Sequence, residues 1–275
     1  MNLLMFTKML KDLGNLTLEQ AGDLIANMGF DGADLTVRHG GYVLPEEATE
    51  KLPQAVELLK SKGLAVPMIT TNITDANEDY ARAVFETASR CGIKFIKLGY
   101  WPYKGFGNIK SQISEARSYL KGIERLSVEH GVTAAIHTHS GAFLSADPGI
   151  VLMLLEGFDP ENICAYFDPG HIAAQGGPAA WEMGLDILSH QIRLIAVKNF
   201  IYLKMAGEAR WEHKMLPLRE EIVQWPSFFK HLRELGFDGN VSLHSEYDGF
   251  TLEQLIFQTR EDLDYIKKIL RGLDL

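Results

Sequence analysis

A carboxylate and a histidine follow an apolar run near the middle of the chain. The run Ile163–Phe167 has the length of a strand, and Asp168, Pro169, Gly170 and His171 follow it at once. A buried parallel strand would place Asp168 at its carboxyl end and His171 on the first turn beyond it. Barrels and open α/β sheets place their active sites at such strand ends. An Asp-Pro-Gly turn that merely ends the strand is the alternative.

Two further strand ends carry ionisable residues at every second position. His137 and His139 share one face of a strand, and so do His244 and Glu246, because side chains alternate along a strand. Buried histidines on one face need a polar partner. Together with Asp168 and His171 they form a cluster of four histidines, an aspartate and a glutamate on three strand ends, which predicts a divalent-metal site. Such mixed donors suit Mn²⁺, Fe²⁺, Co²⁺ or Zn²⁺ better than Mg²⁺. A buried hydrogen-bonded network without metal is the alternative.

Two lysines, Lys97 and Lys198, lie near the ends of apolar strands. A lysine that points into a barrel mouth is costly unless it meets an anion or its pKa is lowered. Each lysine could polarise a carbonyl group, bind a carboxylate or act as a base. A salt bridge to Asp168 or Glu246 is the alternative for either one. The loop after Lys97 is rich in aromatic residues and glycine, and Trp101 in this loop is a candidate for contact with a sugar.

These residues lie on a regular alternation of strand and helix patterns. The predicted strands are Leu3–Phe6, Gly32–Arg38, Leu64–Thr70, Ile93–Gly99, Val132–His139, the run that begins at Ile163, Ile192–Phe200 and Val241–Glu246. The predicted helices are Thr17–Met28, Leu52–Lys62, Asn77–Arg90, Ser111–His130, Pro148–Gly157, Ala179–Ser189, Pro226–Leu235 and Leu252–Arg271. Eight strands alternating with eight helices predict a (β/α)₈ TIM barrel, an α/β fold, as a single domain over residues 1–275. A doubly wound sheet is the alternative, but no glycine-rich dinucleotide loop follows the first strand.

The connection Ile201–Trp225 is too long for a plain turn between a strand and a helix. We expect it to cover the mouth of the barrel or to meet another subunit. Lys204, Arg210 and Lys214 in this connection lie near the position where barrels often bind phosphate.

Composition limits the class of protein. The 275 residues are 46% hydrophobic and 23% charged, as in an ordinary globular protein. The net charge of −9 argues against a nucleic-acid partner, which requires a basic face. No segment approaches the ~20 apolar residues of a membrane span. The two cysteines, Cys91 and Cys164, lie in core-like contexts, so we expect no disulfide scaffold and a cytoplasmic location.

The sequence resembles the sugar isomerase/epimerase superfamily of xylose isomerase-like TIM barrels over nearly its whole length. The motifs that carry the resemblance are Gly29–Leu35, Ile136–His139, Asp168–His171, Val197–Asn199 and Gly236–His244. The resemblance implies a divalent metal held by glutamate, aspartate, histidine and glutamate on strands five to eight. The two glutamates of that pattern also move protons through an enediolate.

Part of that pattern is present in this chain. Asp168 and His171 match it, whereas His137 and His244 stand where the glutamates are expected and Ala196 stands where the histidine is expected. We therefore expect His137 and Glu246 to complete a ligand set of histidine and carboxylates around Asp168.

The resemblance implies isomerisation or epimerisation of a sugar or sugar phosphate through an enediolate. We expect Glu246 or His171 to move the proton and the metal or Lys198 to stabilise the enediolate oxygen. The residues expected to hold the substrate are Arg38, Lys97, Trp101, His139 and His244. A lyase on an oxidised sugar and a non-catalytic sugar-binding barrel are the alternatives. An abasic-site endonuclease shares the fold, but the acidic balance disfavours it. Assembly into a homo-oligomer is left open.

Overall fold

Eight parallel strands close into a barrel, which confirms the predicted (β/α)₈ fold. The structure is a computed structural model that describes residues 1–204, 207 and 211–273. The barrel strands are β1 (Asn2–Phe6), β2 (Gly32–Thr36), β3 (Ala65–Thr70), β4 (Phe95–Lys97), β5 (Thr133–His137), β6 (Ile163–Phe167), β7 (Ile192–Val197) and β10 (Asn240–Leu243). Each strand pairs with the next barrel strand in sequence, and β10 closes the ring against β1.

Helices alternate with these strands and cover the outside of the barrel. They are α1 (Lys8–Asp12), α2 (Leu18–Met28), α3 (Ala48–Ser61), α4 (Ala81–Arg90), α5 (Ile109–His130), α6 (Pro148–Leu155), α7 (Pro169–Gly176), α8 (Ala180–Leu188), α9 (Trp225–Glu234) and α10 (Leu252–Gly272). Local sequence sets their ends. Thr17 caps α2 in a reciprocal pair of hydrogen bonds with Gln20, and Gly29 ends that helix with φ of +85°.

The core has two parts, one on each side of the strands. The larger part lies between the outer faces of the strands and the helices. The smaller part fills the barrel interior with Leu4, Met68, Ala135, Cys164, Tyr166, Leu194 and Ala196. Side chains alternate along a strand, so the residues two positions beyond Ala135, Tyr166 and Ala196 also point inward, at the carboxyl end of the barrel. Those residues are His137, Asp168 and Lys198, and the fold thus gathers them at one rim.

Several local features differ from the sequence prediction. Strands β5 and β10 end at His137 and Leu243, so His139, His244 and Glu246 lie in the loops beyond the strands, and helix α1 was not predicted. Strand β4 covers only Phe95–Lys97, because the chain bends toward the β3 loop, where a Cβ at Gly99 would lie 2.4 Å from the Asn72 carbonyl oxygen. Helix α7 follows β6 where the sequence suggested a turn. The long connection forms an antiparallel hairpin of β8 (Phe200–Lys204) and β9 (Trp211–Met215). Among the described residues, no helix combines the length and the apolar character needed to span a membrane.

Candidate active site

A cavity of about 220 Å³ opens at the carboxyl ends of the barrel strands. It is lined by Phe6, Lys8, Arg38, Thr70, Lys97, Tyr100, His137, His139, Tyr166, Lys198, His244 and Glu246. Seven of the residues predicted from sequence are in this lining, although they come from five different barrel strands and the turns that follow them. Asp168 and His171 lie directly beside it, so the fold brings the predicted cluster to one place.

Three buried polar atoms face one another beside this cavity. Nε2 of His137 lies 3.4 Å from Oδ2 of Asp168, and Nε2 of His171 lies 3.8 Å from the same oxygen. None of these three atoms has a hydrogen-bond partner within the part of the chain that the structure describes. Buried polar atoms are nearly always paired, so unpaired atoms that converge in this way fit the binding of a cation or a substrate.

The other polar atoms of these side chains are held in place. Oδ1 of Asp168 caps helix α7 by accepting a hydrogen bond of 2.9 Å from the backbone N–H of His171. Nδ1 of His137 lies 2.8 Å from the Tyr100 hydroxyl, and Nδ1 of His171 lies 2.8 Å from the Ser140 hydroxyl. Hydrogen bonds of this kind fix the orientation of an imidazole ring and direct its second nitrogen toward the site.

His244 is supported by a chain of hydrogen bonds that ends on Asp34. Nε2 of His244 lies 2.9 Å from the Tyr166 hydroxyl, which in turn donates to Oδ2 of Asp34 over 3.4 Å. The fully buried Asp34 also accepts hydrogen bonds from Thr70 and Ser242, of 2.7 and 3.0 Å. The other ring nitrogen of His244, Nδ1, lies 3.9 Å from Oε2 of Glu246.

One group in the described residues has the spacing of a metal site. His137, Asp168 and His244 are buried, and each offers one donor atom within 4.8 Å of the other two. The sequence analysis placed His137 and Asp168 in the ligand set but assigned the third position to Glu246. The structure places Glu246 in an ion pair instead, so its role as a ligand stays a prediction.

Glu246 lies between two lysines. Nζ of Lys198 lies 2.7 Å from Oε2 and Nζ of Lys8 lies 2.7 Å from Oε1 of this carboxylate. The salt bridge between Lys198 and Glu246 is the alternative that the sequence analysis had left open for Lys198. It does not remove Lys198 from the site, because this lysine lines the cavity.

Lys97, unlike Lys198, forms no ion pair with a carboxylate in the described part of the chain. Its side chain is buried, and its Nζ has no hydrogen-bond partner among the residues that the structure describes. The amine lies over the ring of Tyr100, 3.6 Å from the ring centroid. Burial is the main cause that lowers the pKa of Lys97 well below its ordinary value, and the nearby Arg38 lowers it further.

The charges of the site follow from burial and pairing. Burial lowers the pKa of His137 and of His171 well below 6.5, so both rings are neutral near pH 7. Burial also raises the pKa of Asp168 to about 7, against the opposing effect of Lys198. Burial alone would lower the pKa of Lys198, but the carboxylates of Glu246 and Asp168 outweigh it and raise that pKa. The same ion pairs hold the pKa of Glu246 well below its ordinary value despite its burial.

Three predicted residues that the structure describes lie away from the cavity. Trp101 packs in the outer core and is not part of the lining, whereas its neighbour Tyr100 lines the cavity and contacts His137. Lys204 and Lys214 are exposed on the hairpin, and Arg210 lies outside the described residues.

No role was predicted from the sequence for five residues that form the hydrogen-bond network around the site, namely Lys8, Tyr100, Tyr166, Ser140 and Asp34. Tyr166 gave a usable signal, because it is a polar group within a fully buried strand two positions before Asp168. Ser140 gave no such signal, because a serine directly after a strand is common in any turn.

A model of the xylose isomerase-like TIM barrel family matches residues 23–269. The chain belongs to this family. The match covers most of the chain and confirms the resemblance inferred from the strand-end motifs. No curated protein matches the chain in sequence.

Solved structures share this fold at low sequence identity. A 3-keto-D-glucoside 4-epimerase from E. coli is 11% identical, with a TM-score of 0.70 over 98% of this chain and 99% of that one. A probable 3-DHS dehydratase from Bacillus anthracis is 19% identical, with a TM-score of 0.71 over 97% of this chain and 99% of that one. A xylose isomerase-like barrel protein from Mycobacterium smegmatis, solved in complex with magnesium, is 15% identical, with a TM-score of 0.67 over 92% and 88%.

Proposed function

We propose that this protein is an enzyme that isomerises or epimerises a sugar or sugar derivative by moving a proton next to a carbonyl group. The observation that supports this proposal is that two features meet at one small cavity. One is the cluster of unpaired donor atoms on His137, Asp168 and His171, and the other is the Lys198–Glu246 ion pair beside it. The chain belongs to the xylose isomerase-like family and shares its fold with a sugar epimerase, which agrees with the proposal.

Lys198 and His171 have separate roles in this proposal. Lys198 remains protonated through its ion pair with Glu246 and donates a hydrogen bond to the carbonyl oxygen as negative charge develops there. His171 accepts the proton from the neighbouring carbon. In the tautomer of His171 whose Nδ1–H donates to the Ser140 hydroxyl, Nε2 is the acceptor. Glu246, the alternative proton carrier from the sequence analysis, is a weak base because two ammonium groups hold its oxygens.

The donor atoms also fit a divalent metal ion. His137, Asp168 and His244 would hold it, because each offers one donor atom within 4.8 Å of the other two and the free atoms of the first two converge. Two imidazoles and one carboxylate suit Mn²⁺, Fe²⁺, Co²⁺ or Zn²⁺ better than Mg²⁺. When bound, such an ion polarises a carbonyl oxygen as a Lewis acid.

The rest of the lining holds and orients the substrate. Arg38, Lys97 and His139 face the cavity and supply donors for hydroxyl or carboxylate oxygens. Tyr100 takes the place that the sequence analysis gave to Trp101, because its ring, and not that of the tryptophan, borders the cavity.

The proposal is tested by incubating the metal-free protein and the Mn²⁺- and Co²⁺-loaded protein with a panel of ketoses and aldoses. The expected product is an isomer of unchanged mass, identified by NMR and mass spectrometry. Two fragments, or loss of water, would favour the lyase alternative. The non-catalytic sugar-binding barrel is favoured if sugars bind but no product forms with either metal.

A further inference from the structure

A second chamber of about 240 Å³ adjoins the cavity already described. Lys8, His139, Lys198 and Glu246 line both spaces, so the two chambers meet at the Glu246 ion cluster. We call the first the inner chamber and the second, which the hairpin borders, the outer chamber. Ligand pockets begin at roughly 300 Å³. Either chamber alone is smaller than this, whereas the two together exceed it.

The outer chamber has an aromatic wall. Phe200 and Tyr202 of β8 and Met215 of β9 border it. The rings of His171 and Phe200 meet edge to face with centroids 4.9 Å apart, and those of Phe200 and Tyr202 do so at 5.9 Å. Aromatic faces beside polar edges suit the C–H faces and hydroxyl groups of a sugar ring.

The charges of the outer chamber are already balanced. Lys8 and Lys198 each lie 2.7 Å from Glu246, and Nε2 of His213 lies 2.9 Å from Oδ2 of Asp248. Among the described residues that line it, two lysines, which share Glu246, are thus offset by two carboxylates, those of Glu246 and Asp248. A phosphate group there would meet two carboxylates, Glu246 and Asp248, without an unpaired cation to offset them. The chamber therefore favours a neutral occupant.

We infer that the ligand of this protein is a two-unit sugar derivative. The carbonyl-bearing sugar occupies the inner chamber, and a second, uncharged ring linked to it occupies the outer chamber. This inference rests on the proposed function and extends it. It replaces the alternatives of a free monosaccharide and a sugar phosphate with a glycoside or disaccharide. The hairpin β8–β9 is thereby the element that recognises the second ring.

Calorimetric titration of the full chain with three sugars tests this inference. The probes are D-fructose, isomaltulose, in which a glucose ring is joined to fructose, and D-fructose 6-phosphate. Met215→Trp is the variant, because Met215 borders only the outer chamber and a larger ring would fill it. Met183→Trp is the matched control, since Met183 is exposed on α8 away from both chambers. Thermal unfolding of both variants establishes that they are folded.

Isomaltulose is expected to bind at least about tenfold more tightly than either of the other sugars. Met215→Trp is expected to abolish that advantage and to leave D-fructose binding unchanged, while Met183→Trp changes neither. The inference would be overturned if the three sugars bound with equal affinity or if D-fructose 6-phosphate bound most tightly. It would also be overturned if Met215→Trp weakened the binding of D-fructose and of isomaltulose equally. If D-fructose binds and isomaltulose binds no more tightly, only the two-unit ligand is refuted and the proposed function stands. Failure of all three sugars to bind counts against the proposed function as well.

Discussion

Nε2 of His137 lies 3.4 Å from Oδ2 of Asp168, and both atoms are buried without a hydrogen-bond partner in the described part of the chain. The second nitrogen of His137 and the second oxygen of Asp168 are both occupied, by Tyr100 and by the backbone of His171. The free atoms are therefore the ones directed at the site. Leaving two such atoms unpaired costs stability unless a ligand satisfies them.

Removal of either free atom is expected to abolish metal uptake. His137→Ala and Asp168→Asn should each bind less than a tenth of the Mn²⁺ or Co²⁺ bound by the wild type, because each loses one of three donors. Elemental analysis after dialysis against metal measures this, and His190→Ala, at an exposed histidine, is the control. Metal retained by both site variants would refute the ligand assignment.

The Lys198–Glu246 pair is expected to couple the two residues energetically. Lys198→Met should lower the free energy of unfolding by roughly 2 kcal/mol, because Glu246 then keeps only Lys8 as a partner. Adding Glu246→Gln to Lys198→Met should recover part of that loss. Urea denaturation of both single variants and of the double variant measures the coupling energy. Strictly additive effects would contradict a direct interaction.

The sequence was sufficient to predict the barrel because each βα unit repeats the same local pattern. Apolar strands end in polar residues, and glycines such as Gly29 and Gly131 end helices with positive φ. Period-two alternation then predicts that His137, Asp168 and Lys198 share one rim. The family match confirms the fold, but the roles of these residues stay proposals.

Other features depend on contacts that are distant in the chain. Helix α7 was missed because Asp168-Pro169-Gly170 is typical of a turn, although aspartate at the N-cap and proline at the first helical position also favour a helix. The place of Tyr100 at the cavity could not be predicted, because β4 ends at Lys97 and alternation no longer fixes which aromatic ring turns inward. The Glu246–Lys8 contact joins residues 238 positions apart.

Gly170 is expected to be required for the position of His171. A Cβ at this residue would lie 2.3 Å from the carbonyl oxygen of Lys198, so Gly170→Ala must displace α7 or β7. We expect a loss of about 1–3 kcal/mol in the free energy of unfolding, as for other overpacked sites. Gly272→Ala, where a Cβ meets no atom within 4 Å, is the control. Equal stability of the two variants in thermal unfolding would show that the close approach is not present.

A buried carboxyl group away from the site should make stability depend on pH. Burial raises the pKa of Asp262 to about 6, although Tyr247 and the backbone N–H of Leu218 donate hydrogen bonds to it. The folded state therefore binds the proton more tightly than the unfolded state. The contribution to stability is full below pH 4 and is lost as the pH rises through about 6.

Asp262→Asn should remove that dependence. The difference between the unfolding free energies of variant and wild type should change by roughly 2 kcal/mol between pH 4 and pH 7. Urea denaturation across this range measures it, with Glu261→Gln, at an exposed position on the same helix, as the control. A difference that is independent of pH would mean that Asp262 has an ordinary pKa.

In the proposed reaction, residues of this cavity move a proton next to a carbonyl group. The most direct measurement of this transfer is NMR of a ketose, D-fructose or isomaltulose, incubated with the Mn²⁺-loaded protein in D₂O. Deuterium is expected to enter at the carbon beside the carbonyl, and His171→Ala and Lys198→Met should each slow this exchange at least about 100-fold. No exchange with the wild-type protein, or unchanged exchange in both variants, would contradict the proposed reaction.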